Sequence, residues 1–403
     1  MSTIYDVGII GMGVAGSFAA YRLAKESKLK IIGFDIGRPP QKRRRALEGF
    51  FGCLPSSDGK LYINDTSKLT KLVGSKKAKA ANNYFNKILN NIYNYKITKD
   101  KDVLVGTSKK MIKNGFNYFL NDYIQMYPKE IHALSKFVSD EYDKHNTIQY
   151  AFDTEICQIL KQNGNFVIHT TDKQEIKCKK IIFGPGRIGW RFANNIFKHF
   201  GIIENNDIAK IGVRVECNSS LLKEYNKSNC TILKDKLEIG PLSWNGTVIP
   251  EDHIDVALSS FRSNENRWKS DKVSFNLISD EIFPDRGAEE ADRLSKLTFI
   301  LTNDRVLKEK ISLFLNNKSK ISIISEFSFL KEAFNELFSI MPTIENASFH
   351  IPTIITNPPK INIGDNLESD ISGMYIVGES TGVSGILAAA ESGLIAANEI
   401  IKG

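Results

Sequence analysis

Cysteine is scarce in this chain. Cys53, Cys157, Cys178, Cys217 and Cys230 are the only thiols among 403 residues. They are odd in number, widely spaced and free of any C-x-x-C, which excludes a disulfide framework and a dithiol redox centre. Six scattered histidines show no metal-ligand spacing, so no metal is expected. Long apolar runs are also missing: no stretch reaches the roughly 18 residues that a membrane helix requires. The first apolar run begins almost at Met1 and leaves no room for a leader, so no membrane partner and a cytoplasmic setting are expected. Arginine and glutamate are absent from 76–129, where eleven lysines face three aspartates. That local excess of +8 equals the net charge of the whole chain.

What is present is enough apolar residue to build a large core. At 42% hydrophobic and 25% charged, a chain of this length reads as two globular domains. Its opening stretch, Tyr5-Asp-Val-Gly-Ile-Ile-Gly-Met-Gly-Val-Ala-Gly16, has a short apolar run suited to a buried parallel strand, followed by Gly11, Gly13 and Gly16 as G-x-G-x-x-G. Gly11 permits a tight turn, Gly13 lets backbone N–H groups approach a pyrophosphate, and Gly16 lets the next helix, Ser17 to Lys25, pack on the strand. The positive end of that helix favours phosphate. A second apolar run, Lys30 to Phe34, leads to Asp35, 24 residues after Gly11, where an acid would accept from a ribose hydroxyl. Val14 and Ala15 inside the fingerprint, Ile36 and Arg38 just past Asp35, and Ile156 at the head of a later strand are counted with this nucleotide site.

The basic cluster 38–45 either contacts phosphate and adenosine or is a solvated loop. Phe50 to Leu61 crowds small and polar residues between apolar ones and suits a loop pressed against a flat ligand. In 76–129, Tyr84 to Tyr93 and Phe116 to Tyr127 recur at helical spacing and predict two amphipathic helices. Aromatics among lysines fit a cap over an anionic substrate or a nucleic-acid surface, but core stripes with solvated lysines are the stronger reading. Glu130 to Asp143 predicts another helix. Strands are expected at Thr147 to Phe152, Ile156 to Lys161 and Phe166 to Thr170, with Asn163-Gly164 as a turn.

After the run Lys180 to Phe183, Gly184, Gly186 and Gly189 spell the fingerprint again, but no strand and acid follow it, so a second site for NAD(P)H is not assigned. The helix Arg191 to Phe200 precedes a strand Lys210 to Glu216. Beyond it, strands at Ile254 to Ser259 and Lys272 to Ile278 and helices at Ala288 to Leu301 and Phe329 to Phe338 form an α+β pattern. Met374 to Glu379 then reads as a strand ending in Gly378 and an acid, and Gly385 to Asn398 as a small-residue helix.

This order of motifs resembles the two-dinucleotide-binding-domain flavoproteins. More narrowly, Ser57-Asp-Gly-Lys-Leu61, Gly184-Pro-Gly-Arg-Ile-Gly-Trp190 and Ile211-Gly-Val-Arg-Val-Glu216 resemble the signatures of the uncharacterised FAD-dependent dehydrogenase family (NAD/FAD-utilising dehydrogenases). The resemblance implies an α/β fold: a discontinuous Rossmann-like FAD-binding domain (1–75, 130–205 and 360–403), a basic helical insertion (76–129) and an α+β substrate domain (206–359). It implies FAD at Gly11, Gly13, Gly16 and Asp35, with Gly378 and Glu379 beside the ribityl and pyrophosphate portion; Gly184 and Gly186 are also counted with the cofactor site. A surface carboxylate is the other reading of Glu379.

A helix starting near Gly385 and Ile386 would direct N–H groups at the flavin's pyrimidine edge. Ser57, Asp58, Gly59 and Lys60 are expected near the ring, with Lys60 and Asp58 as catalytic candidates; the alternative is that Lys60 only pairs with Asp58 and pins the loop. The expected activity is an FAD oxidoreductase passing a hydride between flavin and an unidentified small or medium organic substrate, anionic if the lysine-rich stretch covers the site, with NAD(P)H or an electron-carrying protein as a transient partner. The alternatives are a flavoprotein acting on RNA or another polyanion, and a non-catalytic binding or escort protein.

Overall fold

The computed structural model describes residues 3–39, 42–43, 46–253, 255–303, 305–353 and 358–403. The chain divides into two compact units: Met1–Lys96, Ile124–Asn206 and Asn357–Gly403 form the first, and Ile97–Tyr123 with Asp207–Thr356 form the second. The stretch 76–129, expected as one insertion, is therefore split between them, and its lysines do not belong to a single body.

The first unit is built on β1 (Ile4–Ile10), which is followed by α1 (Val14–Glu26) and β2 (Ile31–Phe34). Then come α2 (Ser75–Asn90), α3 (Pro128–Asp143), β3 (Ile148–Ala151), β4 (Ile156–Gln162), β5 (Asn165–Thr170), β6 (Glu175–Phe183) and α4 (Trp190–Phe200). A strand Met374–Ile376 and a C-terminal helix Ile386–Lys402 complete it. Sheet order is β3-β2-β1-β6, all parallel, with Val7 opposite Ile31 on one side and Lys180 on the other. The long β6 pairs in parallel with Met374–Ile376 through its second half and antiparallel with β5 through its first.

Apolar runs without polar alternation make these strands because both faces are covered. Val7 and Ile9 belong to the core on the side of α1, α3 and the C-terminal helix, while Ile10 joins Phe183 and Phe197 on the side of α4. Phe18 of α1 is fully buried against the rings of Phe51 and Phe85, with centroids 5.5 and 5.2 Å away. Truncating such a side chain to alanine costs about 3–5 kcal/mol.

The second unit is an antiparallel sheet. Its strands are β7 (Ile208–Asn218), β8 (Thr231–Lys234), β9 (Leu237–Ile239), β10 (Lys272–Ile282), β11 (Leu307–Lys310) and β12 (Ser348–Ile351). They run in the order β11-β12-β7-β10-β9-β8, and the strand Asn117–Phe119 continues from β8. One face packs on α5 (Gly287–Leu301) and α6 (Phe329–Ile340): Val213, Val215, Phe275 and Phe349 meet Leu294, Phe334 and Leu337 in one core.

The helix expected over Phe116 to Tyr127 is replaced by the strands Asn117–Phe119 and Tyr123–Gln125. Gly115, with φ +79°, breaks the helical path, and pairing of Tyr118 with Ile232 gives the aromatic residues a pleated surface instead. A helix at Val105–Lys113, which the spacing did not pick out, places Thr107 and Met111 inward. Of the strand expected at Ile254 to Ser259, Ile254 lies outside the described residues. The strand found is Ala257–Arg262, in a hairpin with Thr247–Asp252.

Glu391 of the C-terminal helix is fully buried; its Oε1 accepts from Asn82 Nδ2 at 2.7 Å while Oε2 has no partner among the described residues. Burial pushes this carboxyl up to about 7, with the Asn82 hydrogen bond pulling the other way. A folded-state value above the unfolded one means that stability is full below about pH 4.5 and is lost as pH rises through 7, by about 3 kcal/mol at most. Glu391→Gln should therefore raise the thermal midpoint at pH 8 and leave it unchanged at pH 4. A midpoint gain equal at both pH values would remove ionisation as the cause.

Candidate functional site

The carboxyl ends of the parallel strands carry every glycine that the sequence singled out for nucleotide binding apart from Gly59 and Gly385. Gly11 follows β1 with φ +93°, and a Cβ there would lie 2.4 Å from the Gly184 carbonyl oxygen. At Gly16 the Cβ would meet the Gly11 oxygen at 1.9 Å, so the first turn of α1 closes on the loop backbone itself. Gly13 is different. Its Cβ would find only the Gly52 Cα, 3.9 Å away. Ser17 N donates to the Gly13 oxygen, and among the described residues the N–H groups of Gly13, Val14, Ala15 and Gly16 have no backbone acceptor, as at the first turn of any helix.

Asp35, at the end of β2, holds this turn in place. Its Oδ2 accepts from Met12 N, and its Oδ1 from Gly37 N and Gly49 N, each at 2.8 Å. Burial pushes its carboxyl up, against the pull of these three N–H groups and of Arg43. Arg43, the described member of the basic cluster with a structural contact set, donates to the carbonyls of Ala46, Phe50 and Gly52 and ties down the loop over α1. Arg38 pairs with Asp153 at 3.2 Å, Lys42 is exposed, and the remaining cations of the cluster lie outside the described residues. Ile36 is exposed, and Ile156 is a core residue in the layer of Phe166 and Ile168.

After β6, Gly184 sits where the strands converge, since a Cβ there would strike the Val377 side chain at 2.7 Å. Gly186 has φ +67° and open space around it. The helix that follows, α4, leads to Ile203–Asn205, which pairs antiparallel with Lys360–Ile361 rather than adding a parallel strand. After Met374–Ile376, Gly378 has φ +63° and donates its N–H to Ser392 Oγ at 2.9 Å. Glu379 pairs with Arg187 at 2.6 Å, so it is not a lone surface carboxylate. The C-terminal helix crosses α1 so closely that a Cβ at Gly393 would fall 2.0 Å from the Ala15 oxygen, and one at Gly378 would touch the Ala15 Cβ at 3.4 Å. The N-terminal fingerprint and the C-terminal strand thus meet at Ala15.

At the start of that helix, Gly385 has φ +109°, and the space of its missing side chain is taken by the carboxylate of Asp65, 2.1 Å from the would-be Cβ. Burial pushes Asp65 up to about 7, opposed by Lys68. Ile386 is half-buried as the first helical residue. Within the loop 57–60, Ser57 Oγ donates to the Leu54 carbonyl and accepts from Gly59 N. Gly59, with φ +70°, passes so near Met126 that a Cβ would lie 2.0 Å from its oxygen. Lys60 Nζ pairs with Asp58 Oδ2 at 3.4 Å, both side chains being largely buried.

Met12, Gly49, Asp65 and Ser392 were missed by sequence reasoning, and Arg43, read within the basic cluster as a phosphate contact or a solvated residue, binds loop carbonyls instead. Gly49 and Gly52, both with positive φ around Phe50-Phe51, were the readable signal for the loop; the others act through folds of the chain that no spacing reveals.

The first unit is thus a Rossmann-type α/β unit with its phosphate-type turn at the carboxyl edge of the sheet. No protein-family profile matches the chain, and no curated protein matches it by sequence. Among solved structures it is similar to L-proline dehydrogenase from P. horikoshii (13% identity, TM-score 0.48, covering 100% of this chain and 95% of that one). It is also similar to glycine oxidase from Geobacillus kaustophilus (13%, 0.47, 100% and 95%) and to FAD-bound L-alpha-glycerophosphate oxidase from Mycoplasma pneumoniae (13%, 0.46, 99% and 95%). Scores at this level assign no activity; the fold class stands on the strand order and registers described above. Among the described residues, no helix is long and apolar enough to cross a membrane.

The two glycines of the turn separate fold from ligand space. Gly16→Ala should lower the melting temperature sharply or leave the protein insoluble, whereas Gly13→Ala should melt close to wild type. Equal losses at both positions would show that Gly13 too is held by packing.

Proposed function

We propose that the chain is an FAD-dependent oxidoreductase. The observation that carries this reading is the meeting of the fingerprint turn, whose N–H groups have no backbone acceptor among the described residues, and the Gly378 strand end around Ala15, with the open space at Gly13 beside them. These residues fit the group: the N–H groups of Gly13 to Gly16 suit a pyrophosphate, and Gly11 and Gly16 cannot carry side chains without losing the turn. Asp35 Oδ2 accepts only one of the three backbone bonds and retains a lone-pair direction for a ribose hydroxyl. Gly184, Gly186, Gly378 and Glu379 would border the same group, and Gly385 and Ile386 would face its pyrimidine edge.

Bound FAD supplies hydride transfer. The chain's own part is to orient the organic substrate and to hold charge and protons. Lys60 is the proposed catalytic residue: its ammonium donates a hydrogen bond and stabilises negative charge as it develops, and Asp58 keeps it in place. The signatures at 57–61, 184–190 and 211–216 favour the dehydrogenase form within the FAD-dependent dehydrogenase family. NAD(P)H or an electron-carrying protein, where used, is a transient partner, because only one fingerprint continues into a strand ending in an acid. The setting proposed is cytoplasmic.

Lys60→Met keeps the aliphatic length and removes the charge. Purified protein of this variant should retain full flavin absorbance while its anaerobic reduction slows by about a hundredfold, the loss expected when a preorganised donor worth about 3 kcal/mol is removed. Wild-type reduction rates would reduce Lys60 to a partner that pins the loop. A yellow wild-type protein that no donor reduces would favour the escort reading.

A further inference from the structure

The helix Val105–Lys113 of the second unit carries apolar side chains on its outward face as well as its inward one. Met111 and Thr107 are buried. Val105 and Ile112, by contrast, are 69% and 64% exposed, and Leu104 at the N-cap is 53% exposed. Residues seven apart fall on one line along a helix, and Lys109 stands between these two on the same side. The outward face of a surface helix ordinarily holds polar and charged residues, because an aliphatic side chain left in water forgoes the gain of burial.

The aspartates nearby are occupied in shaping the chain. Asp100 accepts from the N–H groups of Lys101, Asn121 and Asn229, Asp102 from Val103 N and Tyr118 Oη, and Asp122 from Asp100 N. The lysines are not. Lys101, Lys109 and Lys113 are exposed and, among the described residues, have no ion pair. The turn 223–227 lies alongside: Leu104 N donates to the Glu224 carbonyl at 3.1 Å, and Asn226 Nδ2 to the Asp102 carbonyl at 3.0 Å. It adds the exposed Lys223 and Lys227 against the half-buried Glu224.

Exposed aliphatics ringed by lysines select among polyanionic partners. A protein interface concentrates aromatic residues and arginine and is poor in lysine, whereas 76–129 has no arginine. A single-stranded nucleic acid needs aromatic side chains on which its bases stack, and the helix presents none. An anionic bilayer asks for what is present: short apolar side chains that reach below the headgroups, and lysines whose stems lie along them while the ammonium groups stay with the phosphates.

We propose that this face rests on an anionic lipid bilayer, with Leu104, Val105 and Ile112 entering the headgroup layer and Lys109, Lys113 and Lys227 meeting lipid phosphates. The lack of a spanning helix among the described residues bears on crossing a bilayer, not on lying against one. The proposal is independent of the flavin reading, because every residue in it belongs to the second unit.

Flotation of the full-length protein as purified tests this, with vesicles of phosphatidylcholine alone or mixed with phosphatidylglycerol. The result expected is recovery with the anionic vesicles that falls as salt rises, and none with the neutral ones. Val105→Ser combined with Ile112→Ser should weaken partitioning by at least about tenfold at unchanged charge. Lys109→Gln combined with Lys113→Gln should weaken it as much at unchanged apolar surface. All four side chains are exposed, so both double variants should melt close to wild type. No recovery with anionic vesicles, equal recovery with neutral ones, or partitioning unchanged in either double variant would overturn the proposal. Binding of mixed RNA at physiological salt, without vesicle binding and untouched by the serine pair, would overturn it in favour of a nucleic-acid surface.

Discussion

Backbone must touch backbone at three places for the first unit to exist, and a single methyl group at any of them is too much. Gly16 closes on the Gly11 carbonyl, Gly11 on the Gly184 carbonyl, and Gly393 on the Ala15 carbonyl, with would-be Cβ separations of 1.9, 2.4 and 2.0 Å. Real side chains do not survive at such distances. These contacts pull α1 onto β1, join β1 to the loop after β6, and draw the C-terminal helix against α1. The result is that residues almost four hundred positions apart share one turn.

Around that turn, Asp35 acts as a hub. In a chain read one residue at a time it is the acid waiting for a ribose. In the folded protein it first gathers the N–H groups of Met12, Gly37 and Gly49, three segments that would otherwise leave buried donors without acceptors. Arg43 completes the same task from the opposite sign by satisfying the loop carbonyls of Ala46, Phe50 and Gly52. The shape of the turn and the stability of the fold around it are therefore one set of contacts.

Most of this first unit was legible in the sequence because its signals are local: an apolar run, glycines at fixed spacing, a small-residue helix. The strands at Ile31–Phe34, Ile156–Gln162 and Asn165–Thr170 and the turn at Asn163-Gly164 fall where pattern and turn chemistry put them. What the sequence hid is long-range. Phe116 to Tyr127 has helical spacing, but pairing of Asn117–Phe119 with Thr231–Lys234 outweighs it. Likewise Asp65 meets Gly385, and Glu379 meets Arg187, only through the return of the chain end to the sheet.

The central claim is that the space left at Gly13 is a place for FAD. Flavin-stripped protein titrated with FAD, followed by flavin fluorescence, tests it most directly when wild type and Gly13→Val are compared. The account predicts one tight site per wild-type chain and none in the variant, with both proteins equally folded by circular dichroism. A folded wild-type protein that takes up no FAD, or a Gly13→Val variant that binds it as well as wild type, would contradict it.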